Sequence, residues 1–80
     1  MKLPRDISGV ELAGLLKKLG YQTTRQTGSH LRLTTNDRGQ HHITIPNQNP
    51  IKVGTLSAIL GDVAAHFEIS RDELIQQLFG

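Results

Sequence analysis

Eighty residues without a cysteine suffice for one small domain and exclude a disulfide framework, a thiolate metal site and a cysteine nucleophile. Nine Lys and Arg against seven Asp and Glu leave a formal charge of +2, which by itself selects no partner. Eight of the basic residues but only three of the acidic ones lie at or before Val53, whereas Arg71 alone opposes four carboxylates after it; one part of the molecule is therefore electropositive and attracts polyanions.

The opening residues Met1 to Asp6 contain no apolar run, and no stretch approaches the roughly 18 consecutive apolar residues of a membrane span. The expected location is the cytoplasm, with no membrane partner. Ser8-Gly9-Val10-Glu11 has the spacing of a capping box, in which each side chain bonds the other residue's backbone N–H. Leu12, Leu15, Leu16 and Leu19 follow on one helical face, and Gly20 is placed to end it, so the pattern predicts a helix over 8–19.

Residues 21–26 turn to Tyr, Thr and Arg and read as a first strand, closed by the turn signal Thr27-Gly28. Leu31-Arg32-Leu33-Thr34-Thr35 alternates with period two, sending Leu31 and Leu33 inward and Arg32 and Thr34 outward. Carried back one step, the alternation sets His30 beside Arg32 on the open face. Asn36-Asp37-Arg38-Gly39 is a turn, and His41-His42-Ile43-Thr44-Ile45 resumes the alternation with Ile43 and Ile45 inward. Pro46 ends strand pairing, and 47–50 is a polar loop.

Thr55 is the expected N-cap of a second helix, along which Leu56, Ile59, Leu60, Val63, Ala64 and Phe67 fall on one face. Ser70 to Glu73 form a second capping-box pattern, opening a short helix with Leu74, Ile75, Leu78 and Phe79. The expected fold is α+β: α-β-β-β-α with an additional short C-terminal helix, one three-stranded antiparallel sheet, and helices on one of its faces. The whole of 1–80 is expected to be a single domain.

The chemistry-bearing stretch is Gly28-Ser29-His30. Imidazole is the one side chain whose ordinary pKa, about 6.5, lets it take and return a proton near neutral pH, although a lone surface histidine is more often only solvated. His41 and His42 invite a metal reading together with His30. Adjacent strand residues point to opposite faces, however, so at most one of the two joins it, and no metal is assigned. His66, beside Phe67, reads as structural or solvent-facing.

The ordered set Gly20-Tyr21, Arg25-Gln26, Gly28-Ser29-His30, Ile43-Thr44-Ile45-Pro46, Lys52, Gly54-Thr55-Leu56 and Ile59-Leu60 resembles the HicA family of toxin mRNA interferases over roughly residues 7 to 78. The resemblance implies a fold similar to double-stranded-RNA-binding domains and metal-independent RNA cleavage without a cofactor. It further implies a catalytic histidine at His30 and neutralisation by a HicB-type antitoxin covering the same face. Metal-free cleavage uses the ribose 2′-OH as an internal nucleophile, so it needs a base that works near pH 7 and charge around the phosphate.

On that footing Arg25, Arg32 and Lys52 are the cations expected around the RNA backbone. Lys17 and Lys18 are weaker candidates. Gly28 would turn the chain tightly and let it approach a phosphate, or serve as a plain turn glycine; Ser29 would donate to a phosphate oxygen or orient His30. His42 is expected as an RNA contact or acid partner of His30. Thr55, at a helix start, would offer N–H groups to an anion or act only as a cap.

Many members carry a further histidine or basic residue just after the proline that ends the third strand. This chain has Asn47-Gln48 there, and its loop through Lys52 is less basic than usual. The alternative reading is a non-catalytic RNA-binding module of the same fold; a pure interaction domain would need no basic side.

Overall fold

The structure, a computed structural model, describes residues 3–80. Its elements run α1 (Gly9–Leu16), β1 (Gln22–Gln26), β2 (His30–Thr35), β3 (His41–Pro46), α2 (Val53–Phe67) and α3 (Arg71–Phe79). The three strands form one antiparallel sheet in the order β1-β2-β3. The α+β order expected from the sequence is the one observed, an open sheet followed by two further helices.

The capping box at α1 is complete: the Glu11 N–H donates to the Ser8 hydroxyl, and the Ser8 N–H donates to the Glu11 carboxylate. The helix is regular only to Leu16, and Lys17–Leu19 tighten into a 3₁₀ turn. Gly20 stops it at φ 83°, with its N–H on the Lys17 carbonyl, a backbone shape that a side chain disfavours. Gly9 is required for another reason. A Cβ there would collide with the Pro46 carbonyl oxygen, so the start of α1 lies directly against the end of β3.

The parity argument holds along β2 and β3. Leu31, Leu33, Ile43 and Ile45 are all buried, whereas Arg32, His42 and Thr44 are exposed. The inward residues meet Leu12 and Leu16 of α1, Leu56, Leu60 and Val63 of α2, and Leu74 and Leu78 of α3 in one core. Each fully buried aliphatic side chain of this kind contributes about 1.5–3 kcal/mol. Thr35 is the buried polar exception, and it is satisfied. Its hydroxyl donates to the Leu19 carbonyl and accepts from the Asp37 N–H, which ties the end of β2 to the end of the first helical segment.

Two element boundaries differ from expectation. Tyr21 precedes β1 and is wholly buried as part of the core. Thr55 does not cap α2: the helix begins two residues earlier, with Lys52 at the N-cap and no side-chain cap bond. The Ile51 N–H is fixed on the Ile7 carbonyl at 2.8 Å and its side chain is buried. The chain therefore turns into the helix immediately after Ile51, and Thr55 falls inside the first turn. At α3 the Ser70 hydroxyl accepts from the Glu73 N–H, which is one half of the expected capping box; the reciprocal bond from the Ser70 N–H to the Glu73 carboxylate is not made. Among the described residues no helix is long and apolar enough to cross a membrane.

Candidate functional site

The outer face of the sheet carries four of the sequence-predicted residues, Arg25, His30, Arg32 and His42, and the strand register fixes their spacing. Along β2 and β3 the facing pairs are His30 with Pro46, Arg32 with Thr44, and Thr34 with His42. On the other side of β2, Arg32 faces Arg25. That last pairing depends on a β-bulge: the register runs Thr23 with Leu33 and then Arg25 with Arg32, leaving Thr24 as an extra residue. On a regular strand Thr24 would face Arg32, and Arg25 would turn to the core side beside Leu31.

The bulge is held by the Thr24 hydroxyl, which donates to the Arg32 carbonyl at 3.3 Å and lies 3.2 Å from the Thr34 hydroxyl. Two guanidinium groups thus sit across from each other, both exposed and without a carboxylate partner among the described residues. Like charges directly opposite on neighbouring strands repel, and an anion on the open face would relieve that repulsion. His30 lies two positions from Arg32 on the same strand face, about 7 Å along the chain.

His30 itself sits at the mouth of a tight turn built by Thr27. The Thr27 N–H donates to the His30 carbonyl at 2.9 Å, and the His30 N–H donates to the Thr27 hydroxyl at 3.1 Å. The ring is exposed. Its Nδ1 lies 2.9 Å from the Ser29 hydroxyl, which leaves Nε2 directed to solvent. Asn47 clamps the same turn from β3: its N–H donates to the Ser29 carbonyl at 2.8 Å and its side-chain amide to the Gly28 carbonyl at 3.4 Å. Asn47, at the position where this chain departs from the resembled pattern of a histidine or basic residue, therefore holds the His30 turn.

Gly28 does not need to be glycine for the turn, contrary to one of its two expected roles. It is not among the glycines of positive φ, and a Cβ there would meet nothing within 4 Å. What its small size leaves is open space over the turn.

The register also separates His42 from His30. Four residue steps lie between their ladder positions, about 13 Å at 3.3 Å per residue, so His42 cannot share a reacting phosphate with His30 as its acid partner. Its Nδ1 lies 2.8 Å from the Thr34 hydroxyl at the far end of the same face. Lys52 and Thr55 lie off the sheet, at the start of α2, where Lys52 is exposed and Thr55 half-buried.

The histidine cluster that periodicity did not foresee is on the inner side. His41 Nδ1 lies 2.7 Å from the Tyr21 hydroxyl, and its Nε2 lies 3.3 Å from an Asp62 carboxylate oxygen. Burial first, and the Asp62 charge second, push the Tyr21 phenol well above its usual range, so it remains a donor. Tyr21 O–H therefore donates to Nδ1, and Nε2–H to Asp62. His66 stacks on His41 with centroids 4.4 Å apart and planes 8° from parallel, and bonds the Asp37 carbonyl at 2.9 Å. His41 and His42 thus face opposite sides of the sheet, as alternation requires. The signal available in the sequence was the two-residue spacing that gives His41 the parity of Ile43 and Ile45.

The sequence model of one family, described as the HicA toxin of bacterial toxin-antitoxin, matches residues 9–64. That span covers α1, the whole sheet and most of α2. No curated protein and no solved structure matches the chain.

Proposed function

This chain belongs to the HicA toxin family of bacterial toxin-antitoxin systems, and on that premise we propose that it is an endoribonuclease cleaving mRNA, with His30 as its general base. The observation that carries the reading is the exposed imidazole pinned through Nδ1 by Ser29 on the face where the bulge pairs Arg25 with Arg32. With Nδ1–H donating to the Ser29 hydroxyl, Nε2 holds a free lone pair toward solvent.

In this reading Nε2 removes the proton of a ribose 2′-OH, and the 2′-oxygen attacks the adjacent phosphorus. The bond to the 5′-oxygen breaks, and that oxygen takes its proton from water, leaving a 2′,3′-cyclic phosphate and a 5′-hydroxyl. No metal or cofactor enters the scheme. Arg32 and Arg25 stabilise the charge that builds on the phosphate, which preorganised cations do without reorganisation. The open space above Gly28 admits the RNA backbone, Ser29 orients the ring, and His42, Lys52 and Thr55 are more distant backbone contacts. A HicB-type antitoxin neutralises the protein.

The test compares wild type with folded His30→Ala on an RNA transcript, with and without EDTA. Wild type is expected to yield fragments with cyclic-phosphate ends in both buffers, and His30→Ala to be slower by about two to four orders of magnitude. Equal cleavage by the variant overturns the assignment. A salt-sensitive RNA shift without fragments establishes the non-catalytic module instead.

A further inference from the structure

Beyond the open face, β1 presents an unpaired edge. Its five residues pair with β2 on one side only and are exposed throughout, because β1 has no apolar residue with which to hold the helical layer. Between this edge and α1 run two open clefts of about 490 and 310 Å³ that share Lys17 and Thr23. They form one trough along the strand. Val10, 60% exposed and one of two large hydrophobic residues left so exposed among those described, lines it beside Gly14 and Gln26.

Among the described residues, Lys17 is the one charged side chain that lines the trough, with Asp37 beside Gly20 at one end of it. From Leu12 to Asn36 the chain has no Asp or Glu, whereas Lys17, Lys18, Arg25 and Arg32 all lie within that stretch. Lys17 lines the trough and Arg25 flanks the same edge on the outer face. We infer that the β1 edge docks an extended acidic segment of the antitoxin, added as a fourth strand with one apolar side chain against Val10 and a carboxylate on Lys17.

Three considerations select this occupant. A strand edge offers donors and acceptors alternately; the phosphates of RNA only accept and its ribose 2′-OH is the backbone's one donor, whereas a partner strand supplies donors and acceptors in the edge's own order. A second copy of this chain would bring Arg25 and Lys17 against like charge. The bulge at Thr24 shortens the pairable run, which makes anchoring by Val10 and Lys17 decisive. A segment docked here lies against Arg25 and so borders the face that carries His30. The inference rests on the family's toxin-antitoxin pairing and does not require that the protein cleave RNA.

The experiment uses full-length His30→Ala protein, so that cleavage plays no part, titrated with its HicB-type antitoxin. Amide hydrogen exchange across Gln22–Gln26 is expected to slow at least about tenfold in the complex. Val10→Asp and Lys17→Glu, both exposed positions and both checked for native circular dichroism, are each expected to weaken the complex by about tenfold or more, roughly 1.4 kcal/mol. In otherwise wild-type protein, Val10→Asp is expected to remain toxic but escape neutralisation. Unchanged exchange at 22–26 in a formed complex, or binding by both variants within twofold of the parent, overturns the inference. So does protection of this edge by an RNA oligonucleotide equal to that given by the antitoxin.

Discussion

His41→Ala tests the inner histidine cluster. The substitution strips the partner from the Tyr21 hydroxyl, which is 2.7 Å from His41 Nδ1 on a residue with no exposed surface. Leaving a buried donor unsatisfied costs about 1–3 kcal/mol, and loss of the ring stacked on His66 adds about 0.5–1.5 kcal/mol. The expected destabilisation is therefore about 3 kcal/mol. At about 4–8 °C per kcal/mol for a domain of this size, the midpoint should fall by at least about 10 °C. Tyr21→Phe is milder, about 1 kcal/mol, because the His41 side chain is 18% exposed and water can replace the lost donor. The double variant should be about 1–2 kcal/mol more stable than the sum of the two single effects, since no orphaned hydroxyl remains. Urea unfolding followed by circular dichroism measures all three at equal slope. Strict additivity, or a His41→Ala cost under about 0.5 kcal/mol, would show that the Tyr21–His41 bond is not the stabilising element.

Other outcomes follow from single contacts. Gly28→Ala should unfold at the wild-type temperature, because nothing lies within 4 Å of the added carbon, yet cleave RNA at least about tenfold more slowly if the space above the turn receives a phosphate; unchanged rates would remove Gly28 from the site. Gly9→Ala should cost about 1–3 kcal/mol by driving a methyl into the Pro46 carbonyl, read in the same urea series. Alkali should destabilise the fold through Tyr21. Its pKa is about 10 when unfolded and held higher by burial in the native state, so above about pH 10 the unfolded chain has released a proton that the native one keeps. Stability then falls by up to about 1.4 kcal/mol per pH unit, and Tyr21→Phe should remove that slope. Deleting Thr24 should leave a regular strand in which Arg25 still faces Arg32, so the protein should fold and retain activity; loss of both would mean that the bulge has a role beyond placing Arg25.

Much of the scaffold is legible because its signals are local or periodic. Ser8 and Glu11 announce the start of α1, and the parity of Leu31, Leu33, Ile43 and Ile45 assigns both faces of the central hairpin. The spacing of His30 and His42 was also within reach. The hairpin pairs Thr35 with His41, so stepping outward from the turn delivers Pro46, not His42, opposite His30. The start of α2 was not legible, since it is set by a backbone bond from Ile51 to Ile7, distant in sequence. Nor was the partner of His41. A tyrosine read as a strand residue and a histidine twenty positions later carry no mutual pattern until the sheet brings the start of β3 over the entry to β1.

The bulge in β1 joins these two cases, because it resolves a conflict that the sequence contains but does not display. Tyr21 must enter the core for its hydroxyl to meet His41, while Arg25 must face outward to stand beside Arg32. Four residues apart, the two have the same parity and belong on one face of a regular strand. One extra residue between them reverses that parity. Thr24 is suited to be that residue, since its hydroxyl supplies bonds to Arg32 and Thr34 where the ladder is interrupted. At this four-residue spacing the core anchor and the paired guanidinium groups are compatible only through the irregularity. Alternation carried through β1 would misplace Arg25, because the strand's two ends, Tyr21 in the core and Arg25 on the outer face, are out of phase by one residue.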